Sequence, residues 1–179
     1  MKFQPTRIAG VVVVEPDRHA DERGFFLRSF CREAFAAHGL GVAFAQCATS
    51  YNLRRGTLRG LHYQRAPVAE AKLVRCVRGA AYDVALDLRP ASATRGAWVA
   101  VRLSAREANA VFIPEGCAHG FQTLEDDTEL FYQITAPYRP EAEAGVRWND
   151  PTLAIDWPVQ EPILSQRDRT LPTFEAIAC

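Results

Sequence analysis

Two short stretches concentrate the polar chemistry of this chain. The first is Leu58-Arg59-Gly60-Leu61-His62-Tyr63-Gln64, with Lys72 eight residues further on. The second is Ile113-Pro114-Glu115-Gly116-Cys117-Ala118-His119-Gly120-Phe121. An imidazole titrates near neutrality, so His62 and His119 can move protons or ligate a metal. Taken alone, each also reads as a satisfied core histidine. The cation Lys72 beside His62 speaks against a metal, because it repels the ion it would help to hold. The cysteines, at 31, 47, 76, 117 and 179, never fall at CxxC spacing, so a zinc site or redox pair is unsupported and buried free thiols are expected.

Strands must position these groups. Short β-rich runs dominate: 8–14, 25–30, 42–48, 58–64, 70–77, 80–88, 97–103, 121–124 and 128–135, with turn residues such as Arg78-Gly79 and Arg89-Pro90 between them. That spacing predicts an all-β sandwich or barrel with few short helices. One helix is expected over Arg32–His38, stopped by Gly39. From Pro137 onward the chain reads as a return segment of little regular structure, ending in a tail. Strand alternation puts Lys72 on one face with Val74 and Cys76, Asp83 with Ala81, Ala85 and Asp87, and Tyr132 with Leu130 and Ile134. A Lys among apolar neighbours fits the interior of a barrel that holds a polar ligand. Asp87 and Arg89 read as a structural pair at a strand end, and Trp148 and Trp157 as packing residues.

The bulk properties bound the function. The 179 residues are 48% hydrophobic and 23% charged, ordinary values for one compact domain. Lys and Arg number 21, as do Asp and Glu, so the net charge is zero and a broad nucleic-acid or anionic-membrane footprint is not expected. No apolar run approaches the roughly 20 residues that span a bilayer. The N-terminus has no signal-type pattern, so a cytoplasmic location is expected.

The two histidine stretches, each flanked by Gly or Pro, resemble the two halves of a cupin, a double-stranded β-helix or jelly roll. Cupins usually carry His-x-His and a later acid as metal ligands. Gln64 and Lys72 occupy those places here, so a metal-free cupin is expected. The chain further resembles the dTDP-4-dehydrorhamnose 3,5-epimerase family. The resemblance rests on Asp21-Glu22-Arg23-Gly24-Phe25-Phe26, Leu58–Gln64, Lys72-Leu73-Val74-Arg75, Asp83–Arg89, Ile113–Phe121 without Cys117, and Trp148-Asn149-Asp150-Pro151. These run in the family's order over residues 5 to 170.

That resemblance implies a cofactor-independent isomerase acting on a nucleotide-linked 4-keto-6-deoxyhexose at carbons 3 and/or 5. Epimerisation beside a ketone needs a base, an acid on the opposite face and a donor for the enolate oxygen. The resemblance gives His62 as base, Asp168 as its orienting carboxylate, Tyr132 as acid and Lys72 as enolate stabiliser. Arg59 and Arg23 become diphosphate contacts, since a guanidinium fork matches phosphate oxygens. His119 becomes a pyrophosphate or sugar contact, Asp83 a supporting acid behind the site, and Gln46 and Arg28 nucleotide-side residues. Tyr138 matches an aromatic near the sugar that bears on which carbons invert. The segment Arg23–Phe26 reaches a neighbour's site in the family, which implies a homodimer whose interface includes residues 1–50. The chain departs from the family pattern at Arg28, where Glu is usual, at Ala48, where Asn is usual, and at Gln133, where Lys is frequent. The first two leave the nucleotide base open. The competing readings are the same chemistry on another nucleotide sugar such as a CDP sugar, inversion at one carbon, a non-catalytic sugar-nucleotide binder, and a metal-dependent cupin enzyme.

Overall fold

The computed structural model describes residues 1–41 and 43–177. Val42, the expected start of one strand, and Cys179 lie outside the described residues. Six strands form one sheet: β1 (Lys2–Pro5), β2 (Val12–Glu15), β5 (Gln46–Asn52), β7 (Lys72–Arg78), β10 (Ala110–Ile113) and β12 (Thr128–Ile134), in the order β1-β2-β10-β7-β12-β5. Five form a second: β6 (Leu58–Gln64), β8 (Ala80–Asp87), β9 (Trp98–Ser104), β11 (Cys117–Thr123) and β13 (Glu143–Gly145), in the order β13-β6-β11-β8-β9. β3 (Arg18–Asp21) and β4 (Gly24–Leu27) make a separate hairpin. The ladders within both sheets are antiparallel. The result is the expected jelly roll, with short helices α1 (Arg32–Ala37), α2 (Gln166–Arg169) and α3 (Phe174–Ile177).

Period-2 alternation sorts the side chains into three layers. Val74 and Cys76 of β7, Ala81 and Ala85 of β8, Phe121 of β11 and Leu130 of β12 meet between the sheets. The opposite face of the five-stranded sheet, with Leu61, Val84, Leu86 and Ala118, is covered by Val146, Leu153 and Trp157 of the return segment. The opposite face of the six-stranded sheet, with Leu73, Ala110 and Phe112, is covered by Phe35 of α1 and by Leu40. Each fully buried Leu contributes about 1.5–3 kcal/mol of transfer free energy. Both sheets are therefore apolar on two faces, and any polar group between them is placed there against that tendency.

Local chemistry explains where the strand boundaries differ from expectation. Ile8 and Val11 are fully buried, but the chain turns between them through Gly10 (φ +83°), so β2 begins only at Val12. The helix α1 ends at Ala37, and Gly39 at φ +73° provides the left-handed stop. β11 begins at Cys117, four residues before the expected start at Phe121, and runs through Gly120. Gly120 is required by close approach: a Cβ there would sit 2.8 Å from Leu61 Cδ2 and 2.9 Å from Arg59 O. Its counterpart Gly60, at φ +121°, would place a Cβ 2.6 Å from Gly120 Cα. This tight crossing brings His62 and His119 into register. The short strands β1, β10 and β13 carry too few alternating residues to be read from sequence.

Asp87 and Arg89 pair as expected, with Arg89 Nε donating to Asp87 Oδ1 at 2.9 Å. Cys76 and Cys117 are buried, and burial pushes their thiols up to about 11 and about 12. Cys47 corrects the expectation of buried thiols: it is exposed on β5, an edge strand, and Cys31 is only half-buried.

Candidate active site

A cavity of about 380 Å³ opens between the two sheets, within the ordinary size range of small-molecule sites. Its walls bring together most of the expected residues: Arg59 and His62 from β6, Lys72 from β7, His119 from β11, Tyr132 from β12, Gln46 from β5, Tyr138, and Asp168 from α2.

His62 Nε2 lies 2.6 Å from Asp168 Oδ1. A carboxylate only accepts, so Nε2 carries the hydrogen and the Nδ1 lone pair remains for a proton. The Asp168 side chain is 5% exposed and that of His62 29%. Ser165 caps α2: its Oγ accepts from the Asp168 amide at 3.1 Å and donates to Asp168 Oδ2 at 3.0 Å. Burial pulls the Asp168 carboxyl up, but hydrogen bonding to His62, with help from Ser165, outweighs it and holds the group below the usual carboxylate range. The pair is thus arranged to keep Asp168 ionised and to support a positive charge on His62.

His119 Nε2 lies 2.8 Å from Asp83 Oδ2, with the two side chains 5% and 0% exposed. The other Asp83 oxygen is buried without a hydrogen-bond partner. The Tyr132 ring packs edge-on to His119, with centroids 5.9 Å apart. Burial pushes the Tyr132 phenol well above its ordinary value, and the negative charge of Asp83 adds to this. Tyr132 is therefore a protonated donor at neutral pH. Lys72 Nζ sits 2.9 Å from Glu70 Oε1 and 3.5 Å from the His62 carbonyl.

Arg59 stands at the mouth, where its Nε donates to Oδ1 of buried Asn52 at 2.8 Å. Tyr138 is 52% exposed and donates to Glu143 Oε2 at 2.7 Å. Glu143 Oε1 in turn lies 2.5 Å from Arg167 of α2. Sequence reading missed Asn52, Glu70, Glu143, Ser165 and Arg167. Only Ser165 carried a signal, since Ser-x-x-Asp before a short helix is a capping pattern. Arg23 and Arg28 do not line this cavity. Arg23 is an exposed residue of the β3–β4 turn paired with Asp21, and Arg28 borders a separate hollow with Phe26 and Cys31. Among the described residues no group of three or more His, Cys, Asp or Glu is placed to hold a metal ion. None of their helices is long and apolar enough to cross a membrane.

A family profile described as dTDP-4-dehydrorhamnose 3,5-epimerase matches residues 5–176. The dTDP-4-dehydrorhamnose 3,5-epimerase of Shigella flexneri is 47% identical, over 94% of this chain and 93% of its own. The chain belongs to the dTDP-4-dehydrorhamnose 3,5-epimerase family. Its fold superposes on the crystal structure of the dTDP-6-deoxy-D-glucose-3,5-epimerase from Legionella pneumophila in complex with dTDP-4-keto-L-rhamnose, with a TM-score of 0.92 and 38% identity, covering 98% of this chain and 94% of that one. A 3′-monoepimerase from Streptomyces bikiniensis in complex with dTDP-quinovose gives a TM-score of 0.89 at 38% identity, covering 96% and 87%. Two of the positions expected to depart from the family pattern fall in distinct places. Ala48 lines the cavity, whereas Gln133 lies on the opposite face of β12 from Tyr132.

Proposed function

We propose that the protein is a cofactor-independent epimerase that converts dTDP-4-dehydro-6-deoxy-D-glucose to dTDP-4-dehydro-L-rhamnose through an enolate. The observation that carries this reading is the His62–Asp168 pair on one wall of the cavity with a protonated Tyr132 on the other. Nδ1 of His62 removes the proton next to the C4 ketone, and Asp168 supports the imidazolium. Lys72 donates to the developing enolate oxygen. Tyr132 returns a proton from the opposite face, which inverts the carbon. A positioned base of this kind accelerates proton transfer by about 10²–10⁴.

The binding roles follow from the substrate's charges. Arg59, at the mouth, takes the diphosphate. His119, held by Asp83, contacts the pyrophosphate or sugar. Gln46 lies toward the nucleotide, and Tyr138 flanks the sugar and bears on which carbons invert. Arg23 and Arg28 serve the site of a second copy. The hairpin that carries Phe25 and Phe26, 54% and 69% exposed, supports a homodimer in which it completes the neighbouring site. A monomeric mass by light scattering at micromolar concentration, with full activity, would refute that assembly. The diphosphate of such a substrate does not cross a bilayer unaided, which suits a cytoplasmic enzyme.

The deciding experiment is incubation with the dTDP-linked 4-keto sugar in deuterated water, read by NMR and mass spectrometry. Deuterium at C3 and C5 with inverted product is expected, and no incorporation at either carbon would overturn the proposal. A second reading concerns the nucleotide. Arg28 offers five donors and no acceptor, and Ala48 offers the cavity no polar group. Relaxed base selectivity follows, and calorimetry with dTDP and CDP on wild type and Arg28→Glu tests it. A wild-type preference for dTDP above tenfold that Arg28→Glu leaves unchanged removes Arg28 from base reading.

A further inference from the structure

The chemistry above assigns Lys72 a task and leaves its partner Glu70 without one. The two side chains meet in the cavity wall, 2.9 Å apart and 11% and 9% exposed. A carboxylate this dry requires partners for both oxygens. Its Oε2 accepts from Gln64 Nε2 at 3.0 Å. Gln64, 3% exposed, is fully engaged in turn. Its two amide hydrogens are shared among three acceptors, Glu70 Oε2 at 3.0 Å and the carbonyls of Val68 and Pro137 at 3.2 Å, and its Oε1 accepts from the Arg139 amide at 2.6 Å. Pro137 and Arg139 bracket Tyr138. A continuous run of partly buried hydrogen bonds therefore links the backbone around Tyr138 to the Lys72 ammonium.

The geometry points to Glu70 as a positioning residue for proton abstraction: through its two oxygens it fixes the Lys72 ammonium in register with the Gln64-clamped Tyr138 segment. This inference rests on the epimerase reading. A lysine ammonium is a point charge on a flexible four-carbon stem, with three rotatable donors and no geometry of its own. Glu70 takes one donor and the His62 carbonyl stands near a second. The third is left for an oxygen in the cavity that Lys72 lines. Without the carboxylate, the ammonium is free to turn away from the enolate oxygen or toward solvent. Stabilisation of charge that develops only in the transition state then falls, while ground-state binding through the diphosphate is untouched. That combination lowers kcat and spares KM.

Glu70→Gln tests this directly. The variant keeps the shape and one carbonyl oxygen for Gln64 but removes the charge facing Lys72. Deuterium wash-in is measured at varied substrate on wild type, Glu70→Gln and Glu70→Asp, with thermal midpoints recorded alongside. We expect Glu70→Gln to lose at least about tenfold in kcat with KM changed less than about threefold and the midpoint nearly unmoved. Glu70→Asp, which restores a carboxylate on a shorter arm, should recover part of the loss. A Glu70→Gln variant within twofold of wild-type kcat overturns the inference. So does a loss that appears in KM and thermal midpoint while kcat holds. If Glu70→Gln does not fold, Glu70→Asp decides: a lowered kcat at unchanged KM supports the inference, and wild-type kcat refutes it. Failure of the wild type itself to exchange protons would instead sink the epimerase reading.

Discussion

His62 and His119 stand opposite each other on β6 and β11, and each meets an aspartate through Nε2. The two pairs are otherwise built in contrasting ways. Asp83 comes from β8, the strand next to His119's own, and the pair is almost fully buried, with only the His119 ring reaching the cavity wall. One of its oxygens is buried without a hydrogen-bond partner, which is costly for a carboxylate. Asp168 comes from a helical turn 106 residues away, has both oxygens engaged, and leaves the His62 ring partly open to the cavity. The sealed pair is suited to hold an orientation. The open pair is suited to take up a proton, because its carboxylate is already committed to stabilising a cation and its ring has room for a substrate carbon. Two similar distances thus serve different tasks, and the difference lies in exposure and in how each carboxylate is satisfied.

The largest expected effect tests that division. His62→Asn should lose deuterium wash-in by at least about 100-fold, the low end for removing a positioned base. His119→Asn should act mainly on binding, raising KM while wash-in at saturating substrate falls less than about tenfold. Equal losses of saturating wash-in in both variants would collapse the contrast between the pairs. Retention of more than a tenth of wild-type exchange by His62→Asn would move the base elsewhere.

Tyr132 touches the sealed pair by its ring and, in the proposed reaction, supplies the proton that the open pair's abstraction requires. Because burial keeps its phenol protonated, Tyr132→Phe should still exchange substrate protons through His62 yet form inverted product at least about tenfold more slowly. The ratio of wash-in to net epimerisation is the measurement. Parallel loss of both would make Tyr132 a packing or binding residue and leave the returned proton unexplained.

The contrast also shows what the sequence could reveal. Alternation alone placed Lys72, Asp83 and Tyr132 on inward faces, because a polar residue breaking an apolar period-2 pattern stands out in one dimension. The His62 and His119 stretches stood out by their density of polar residues beside Gly and Pro, and the cupin-like arrangement followed from their resemblance to that fold. Asp168 has no such periodic setting, and only the family resemblance singled it out. Its helix lasts one turn, and its position beside His62 depends on how the return segment packs on the five-stranded sheet. Glu70 and Glu143 escaped, and Gln64 was singled out only as a departure from the metal-ligand pattern, because their roles lie in contacts between segments. Gln64, for instance, spans 75 residues to the Arg139 amide. The turn at Gly10 was misread as strand because buried Ile8 and Val11 satisfy an apolar pattern whatever their backbone does.

The smallest expected effect concerns the open pair's contribution to the fold. His62 and Ser165 hold the Asp168 carboxyl below its ordinary value in spite of burial. A group whose folded value is depressed stabilises the native state fully above its unfolded value, about 3.9 for Asp. That contribution fades as pH falls through the lower folded value. Asp168→Asn keeps the shape and abolishes the titration. At pH 6 the wild type should therefore be the more stable by on the order of 1.5–3 kcal/mol, the scale of a hydrogen bond to a charged group. Between pH 4 and the acid limit the two urea midpoints should converge, with wild type losing stability and Asp168→Asn staying flatter. A gap that holds constant from pH 6 to pH 2 would mean that packing alone, without the ionised carboxylate, accounts for Asp168. The open pair would then differ from the sealed one in exposure only, and the case for His62 as the proton acceptor would rest on the exchange measurements by themselves.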